Sequence, residues 1–123
     1  MNNGTILILE DELLIARMYS ILFGQAGYSV FLADHSKDIV GLVRSLNPDF
    51  IILDNQLKYK QSGFETALQL RHSGNNTPIV FTTGNAEQVA KDFVSKVSCS
   101  YYRIKPIDCA ELLRFITNQL KKA

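Results

Sequence analysis

Continuous apolar runs recur along this chain, and three of them end in an acid or a hydroxyl. Thr5-Ile6-Leu7-Ile8-Leu9 runs into Glu10-Asp11-Glu12, and Phe50-Ile51-Ile52-Leu53 runs into Asp54. Pro78-Ile79-Val80-Phe81 runs into Thr82-Thr83. Short uninterrupted runs of this kind fit strands buried on both faces, as in a parallel sheet. Tyr28-Ser29-Val30-Phe31-Leu32 is a further strand candidate, and the partly polar Ser100-Tyr101-Tyr102-Arg103-Ile104 is the last.

Between the runs the apolar period changes to that of a helix. Leu14, Met18, Ile21 and Leu22 recur at helical spacing, and Gly27 ends that segment. Ser36 is placed to cap a helix whose stripe is Ile39, Val40, Val43 and Leu46, closed by Asn47-Pro48. Phe64, Ala67, Leu68 and Arg71 mark a short helix ending around Gly74-Asn75-Asn76. Ala86, Val89, Ala90, Phe93 and Val97 mark another. Asp108 caps the last helix, whose Leu112, Leu113, Ile116 and Leu120 face a core, with Lys121 and Lys122 at its carboxyl end.

Five strands alternating with five helices through short connections predict a doubly wound α/β fold. The expected sheet is parallel and five-stranded in the flavodoxin-like order 2-1-3-4-5. The whole span 1–123 reads as one domain, with no repeat, low-complexity segment or linker.

Composition narrows the class. Apolar content is 46% and charged content 20%, which excludes a disordered tail. A net charge of +1 argues against a domain that grips nucleic acid through its phosphates. No apolar run approaches the ~18 residues of a membrane span, so no membrane association is expected. The start lacks a secretory pattern, which makes the cytoplasm the expected location. Cys99 and Cys109 have neither CxxC spacing nor nearby histidine clusters, so they read as small, reduced, buried thiols rather than zinc ligands. His35 and His72 read as surface residues.

The strand ends carry the chemistry. In this topology Glu10 and Asp11, Asp54, Thr83 with Gly84 and Asn85, and Lys105 converge at the carboxyl edge of the sheet. Clustered carboxylates raise one another's pKa values, and a hard divalent cation such as Mg²⁺ relieves them. Lys105 offers a compact charge for a phosphoryl oxygen, Thr83 a hydroxyl, and Gly84 an unobstructed backbone N–H. One carboxylate can then attack phosphorus to give an aspartyl phosphate.

Ile6-Leu7-Ile8-Leu9-Glu10-Asp11-Glu12, Ile51-Ile52-Leu53-Asp54, Pro78-Ile79-Val80-Phe81-Thr82-Thr83-Gly84 and Tyr102-Arg103-Ile104-Lys105-Pro106 together resemble the receiver domain of bacterial two-component response regulators. The resemblance covers essentially the whole chain. It implies a phosphorylation-dependent signalling switch that is not a metabolic enzyme and catalyses only its own phosphorylation and dephosphorylation. Asp54 would accept the phosphoryl group from a sensor histidine kinase or phosphotransfer protein. Asp11 and Asp54 would ligate Mg²⁺, with Glu10 helping and the Gln56 backbone carbonyl a further ligand. Lys105 would bind a phosphoryl oxygen, Thr83 would move its hydroxyl onto the group, and Tyr102 would be the switch aromatic. Gln56 and Asn85 stand where the family tunes hydrolysis. The surface of the fourth helix, last strand and last helix would carry the change to a partner, and dimerisation through the last helices stays open.

Three departures from the family pattern stand out. Position 58 is Lys58 where a proline is usual, and Gly63 comes nine residues after Asp54 rather than eight, so the segment Lys58-Tyr59-Lys60-Gln61-Ser62 is one residue longer. The turn before the last strand reads Val97-Ser98-Cys99-Ser100, with Cys99 expected in place of a small buried alanine. Gln56 with Asn85 is an uncommon pair. The alternatives are a receiver-like interaction module that is never phosphorylated, an aspartyl-phosphate phosphatase and a flavodoxin. The second is disfavoured by Gln56, where such phosphatases carry an acid, and the third by an acidic rather than hydroxyl-rich first loop.

Overall fold

The computed structural model describes residues 2–34, 38–55, 62–84 and 87–122. Its strands are β1 (Gly4–Leu9), β2 (Tyr28–Ala33), β3 (Phe50–Asp54), β4 (Ile79–Thr83) and β5 (Ser100–Ile104). Its helices are α1 (Leu13–Gln25), α2 (Ile39–Leu46), α3 (Gly63–His72), α4 (Glu87–Lys96) and α5 (Cys109–Lys121). The sheet is parallel throughout, in the order β2-β1-β3-β4-β5. The predicted order therefore holds.

Side-chain alternation explains why the strand sequences are apolar without interruption. Leu7, Leu9, Ile51, Leu53, Ile79 and Phe81 face one layer, where they pack with Val43, Ala67 and Leu70 of α2 and α3. Ile6, Ile8, Phe50, Ile52 and Val80 face the other, against Tyr19 and Phe23 of α1 and Leu112 and Ile116 of α5. Covered on both sides, β3 is buried along its full length. A parallel sheet needs this double cover, and burying each such side chain contributes roughly 1.5–3 kcal/mol.

The helix termini follow local chemistry. The α2 cap is Asp38, whose carboxylate accepts from Gly41 N at 3.1 Å, so the expected cap Ser36 gives way to an acid two residues nearer the stripe. Ser36 itself lies outside the described residues, as does Ala86. Asn47 ends α2 in the left-handed region, φ 47°, and Ser62 and Asp108 cap α3 and α5. Such side-chain caps satisfy amide donors that the helix leaves open.

Two expectations are corrected. Cys99 is exposed, at φ 52°, because it occupies the left-handed position of the turn into β5, which aims its side chain at solvent. On α1 the stripe Leu14, Met18 and Ile21 faces outward, with Leu14 80% exposed, while the buried face is Ala16, Tyr19 and Phe23. His72 is exposed, as expected, and His35 lies outside the described residues.

At the amino end of the sheet, Arg71 acts as a bracket. Its guanidinium donates to the carbonyls of Ser98 at 2.9 Å, Asn75 at 3.2 Å and Cys99 at 3.2 Å. The Cys99 carbonyl also accepts from Ile79 N at 3.1 Å. The end of α3, the turn into β5 and the start of β4 are thus tied together. Among the described residues no helix is long and apolar enough to cross a membrane.

Candidate functional site

The carboxyl ends of β1, β3, β4 and β5 lie side by side because β1 is the strand where chain order reverses, between β2 and β3. Open α/β sheets bind ligands at that crevice. Asp54 is the last residue of β3 and 2% exposed. The Lys105 ammonium, one residue past β5, donates to its Oδ1 at 3.0 Å. Register delivers this contact: Thr83 pairs with Ile104, and Lys105 N donates to the Thr83 carbonyl at 2.8 Å. The Lys105–Pro106 peptide is cis.

Glu10, just past β1, is buried and stands against Asp54. Burial pushes its carboxyl up to about 7, and a hydrogen bond to Asp54 and that residue's charge push the same way. The Glu12 amide, which donates to Glu10 Oε2 at 3.1 Å, and the Lys105 charge pull it down. The raised Glu10 carboxyl thus keeps its proton closer to neutral pH than a free carboxyl does, beside the Asp54–Lys105 ion pair. A divalent cation can replace the proton.

The donor set fits Mg²⁺. Among the described residues no group of three or more His, Cys, Asp or Glu side chains is arranged to hold a metal. Mg²⁺ does not require one, because it binds through one or two carboxylates and keeps water and phosphate oxygens on its other positions. The paired oxygens of Glu10 and Asp54 suit that pattern, and Asp11 follows directly in sequence. The expected carbonyl ligand, Gln56, lies outside the described residues, as do Asn85 and the segment 58–61.

Thr83 is fully buried at the end of β4, and Gly84 follows it at the surface. Tyr102, the register partner of Phe81, is turned outward: its hydroxyl donates to Glu87 Oε1 at 3.1 Å at the start of α4. Partial desolvation and that carboxylate raise the pKa of the phenol.

Gly63 lets the start of α3 lie close against the end of β3. A Cβ built on it would stand 2.7 Å from the Asp54 carbonyl oxygen and 3.1 Å from Asn55 Cα. Asn55 Oδ1 accepts from Phe64 N at 3.0 Å. The first turn of α3 thus rests on the backbone of Asp54 and Asn55.

Some members of the site were not singled out in the sequence. Thr82 is the register partner of Asp54, and its buried hydroxyl has no partner among the described residues. Glu87 holds Tyr102, a cross-element contact that carries no sequence motif. Tyr19 reads as a core aromatic, yet its hydroxyl lies within the electrostatic reach of Glu10 and Asp54.

Comparison with known proteins gives a consistent result. A family model described as the response regulator receiver domain matches residues 6–117. The chain is 32% identical over 108 residues to the transcriptional regulatory protein DltR of Streptococcus agalactiae, covering 88% of this chain and 48% of that protein. It is 32% identical over 120 residues to the transcriptional regulatory protein PcoR of Escherichia coli, covering 96% and 52%. The chain therefore spans about half the length of these curated relatives. The receiver domain of Francisella response regulator 1452 superposes with a TM-score of 0.87 at 22% identity, covering 97% of this chain and 98% of that one. The Vibrio cholerae chemotaxis protein CheY4 superposes with a TM-score of 0.82 at 24% identity, covering 94% and 97%.

Proposed function

Given that the chain belongs to the response regulator receiver domain family of two-component signalling, we propose that it is a switch set by phosphorylation of Asp54. The observation that supports this most is the buried Asp54 carboxylate held 3.0 Å from Lys105 and against Glu10 at the switch point of the sheet. The donor would be a sensor histidine kinase or a phosphotransfer protein, working in the cytoplasm.

Asp54 is the nucleophile toward phosphorus, and Lys105 transfers its ammonium from the free carboxylate to a phosphoryl oxygen as charge builds there. Mg²⁺ held by Glu10, Asp11, Asp54 and the Gln56 carbonyl would supply the remaining charge neutralisation. Binding it requires Glu10 to give up its proton. Thr83 donates its hydroxyl to the new phosphoryl oxygens, and Gly84 its amide. Space vacated by Thr83 admits the Tyr102 ring, at the cost of the hydrogen bond to Glu87. Phosphorylation adds about −1.5 to −2 charge, enough to bias such a two-state arrangement. The α4–β5–α5 surface then changes and is read by a partner or effector segment. Gln56 and Asn85 tune the lifetime of the acyl phosphate, and a dimer through α5 is one form the output can take.

The test is intact mass after incubation with Mg²⁺ and acetyl phosphate, for the native chain and Asp54→Ala. One phosphoryl adduct is expected on the native chain, absent in the variant and absent with EDTA. No adduct on a rapidly quenched native chain would instead favour an interaction module that works without phosphorylation.

A further inference from the structure

β5 is joined to its two neighbouring helices in unequal ways. Toward α5 the joint is broad. The Arg103 guanidinium donates to both carboxylate oxygens of Glu111, at 2.8 and 3.0 Å, and to the Tyr102 carbonyl at 2.8 Å. It also lies 4.4 Å from the centre of the Phe115 ring, and Tyr101 meets that ring edge-on with centroids 5.0 Å apart. A bidentate ion pair stacked on an aromatic face holds its geometry well.

Toward α4 the joint is narrow. Among the described residues one side-chain hydrogen bond crosses it, from the Tyr102 hydroxyl to Glu87 Oε1 at 3.1 Å. The same oxygen faces the Lys91 ammonium at 3.5 Å, one turn along the helix, so the carboxylate is oriented from within α4. Residues 87–89 are exposed, and the apolar attachment of α4 begins after them. Ala90 is its one fully buried residue, and the Phe93 ring lies 4.6 Å from that of Phe64 and 5.7 Å from that of Phe81. Segments with little buried apolar surface open at low cost.

We infer that Glu87 is a positioning residue: through Tyr102 it latches the first turn of α4 to β5, and release of that contact frees the turn while β5 and α5 stay joined as one block. A single hydrogen bond is worth about a three- to tenfold change in an equilibrium, so the latch biases α4 without locking it. That phosphorylation of Asp54 releases it, by drawing the Tyr102 ring inward, rests on the function proposed above.

Amide hydrogen exchange of the ¹⁵N-labelled chain, without Mg²⁺ or phosphodonor, reads the latch directly. Tyr102→Phe removes the donor and leaves the sequence of α4 untouched. It should speed exchange at Lys91, Asp92 and Phe93, the amides that close the first turn, about three- to tenfold, with Leu113 and Ile116 of α5 unchanged. Glu87→Ala should speed the same amides at least as much in the native chain, and about three- to tenfold less than that in the Tyr102→Phe chain. Unchanged exchange in Tyr102→Phe would overturn the latch, as would an effect of Glu87→Ala that is equal in both backgrounds. Equal acceleration in α5 would overturn the separate block. Beryllofluoride with Mg²⁺, a stable mimic of a phosphoryl group, then separates the two readings. Tyr102→Phe should bind it about three- to tenfold more tightly than the native chain does. Equal affinity would overturn the coupling, whereas no binding by either chain would count against the phosphorylation reading and leave the exchange result standing.

Discussion

Two carboxyls pressed together out of water cannot both be charged without help, and Glu10 with Asp54 has three sources of it: a proton, Lys105 or a metal. The cation site proposed above, when empty, therefore leaves its two carboxyls to a proton and Lys105 alone. Glu10→Gln removes one charge and keeps the shape. Without metal at about pH 8, this variant should be more stable than the native chain by on the order of 1–2 kcal/mol, and it should gain less from Mg²⁺. Urea unfolding in EDTA and in Mg²⁺ measures both. The acidic pair, Asp54 and Lys105 were legible in the sequence because each closes an apolar run, and strand ends in this topology converge. Tyr19 and Thr82 were not legible. A buried tyrosine or threonine looks the same in a sequence whether or not its hydroxyl finds a partner, and that depends on packing from other elements.

Strands were more legible than helices, for a physical reason. A strand covered on both faces must be apolar throughout, so β1, β3 and β4 are marked without ambiguity. A helix announces a stripe, but α1 is apolar on more than one side. The periodic set Leu14, Met18 and Ile21 is exposed, while Ala16, Tyr19 and Phe23 face the sheet. Spacing shows that a face exists and cannot say which of two faces is buried. Cys99 shows a related limit, since a turn that needs a left-handed residue overrides the preference of a thiol for the interior. The junction of β3 and α3 gives the sharpest test at this scale. Gly63→Ala places a methyl against the Asp54 carbonyl, a backbone atom that cannot step aside cheaply. The expected loss is about 1–3 kcal/mol in denaturant unfolding, with slower adduct formation because the acceptor itself is displaced.

Across the whole molecule, pH and the proposed Mg²⁺ are expected to act on the same equilibrium. The carboxyl of Glu10 is raised from 4.5 to about 7 in the folded chain. An acid raised in this way stabilises the fold fully below its unfolded value, and that contribution is lost as pH rises through about 7. Metal binding runs the other way, because it needs the deprotonated acid. The thermal midpoint in EDTA should therefore be lower at about pH 8 than at about pH 5.5, and the increment given by Mg²⁺ should be larger at the higher pH. Scanning calorimetry across that range checks both signs, and an increment independent of pH would remove Glu10 from the metal site. The Arg71 bracket gives the molecule a mechanical character. It clamps the amino ends of β4 and β5 to α3, while the charge change of the proposed switch falls at their far ends. A beam fixed at one end deflects most at the other. Under the switch proposed above, β4 and β5 are expected to act as a pair of cantilevers, held at Ile79 and Cys99 and travelling most at Thr83 and Lys105, so that a local change of charge becomes a graded tilt of one face.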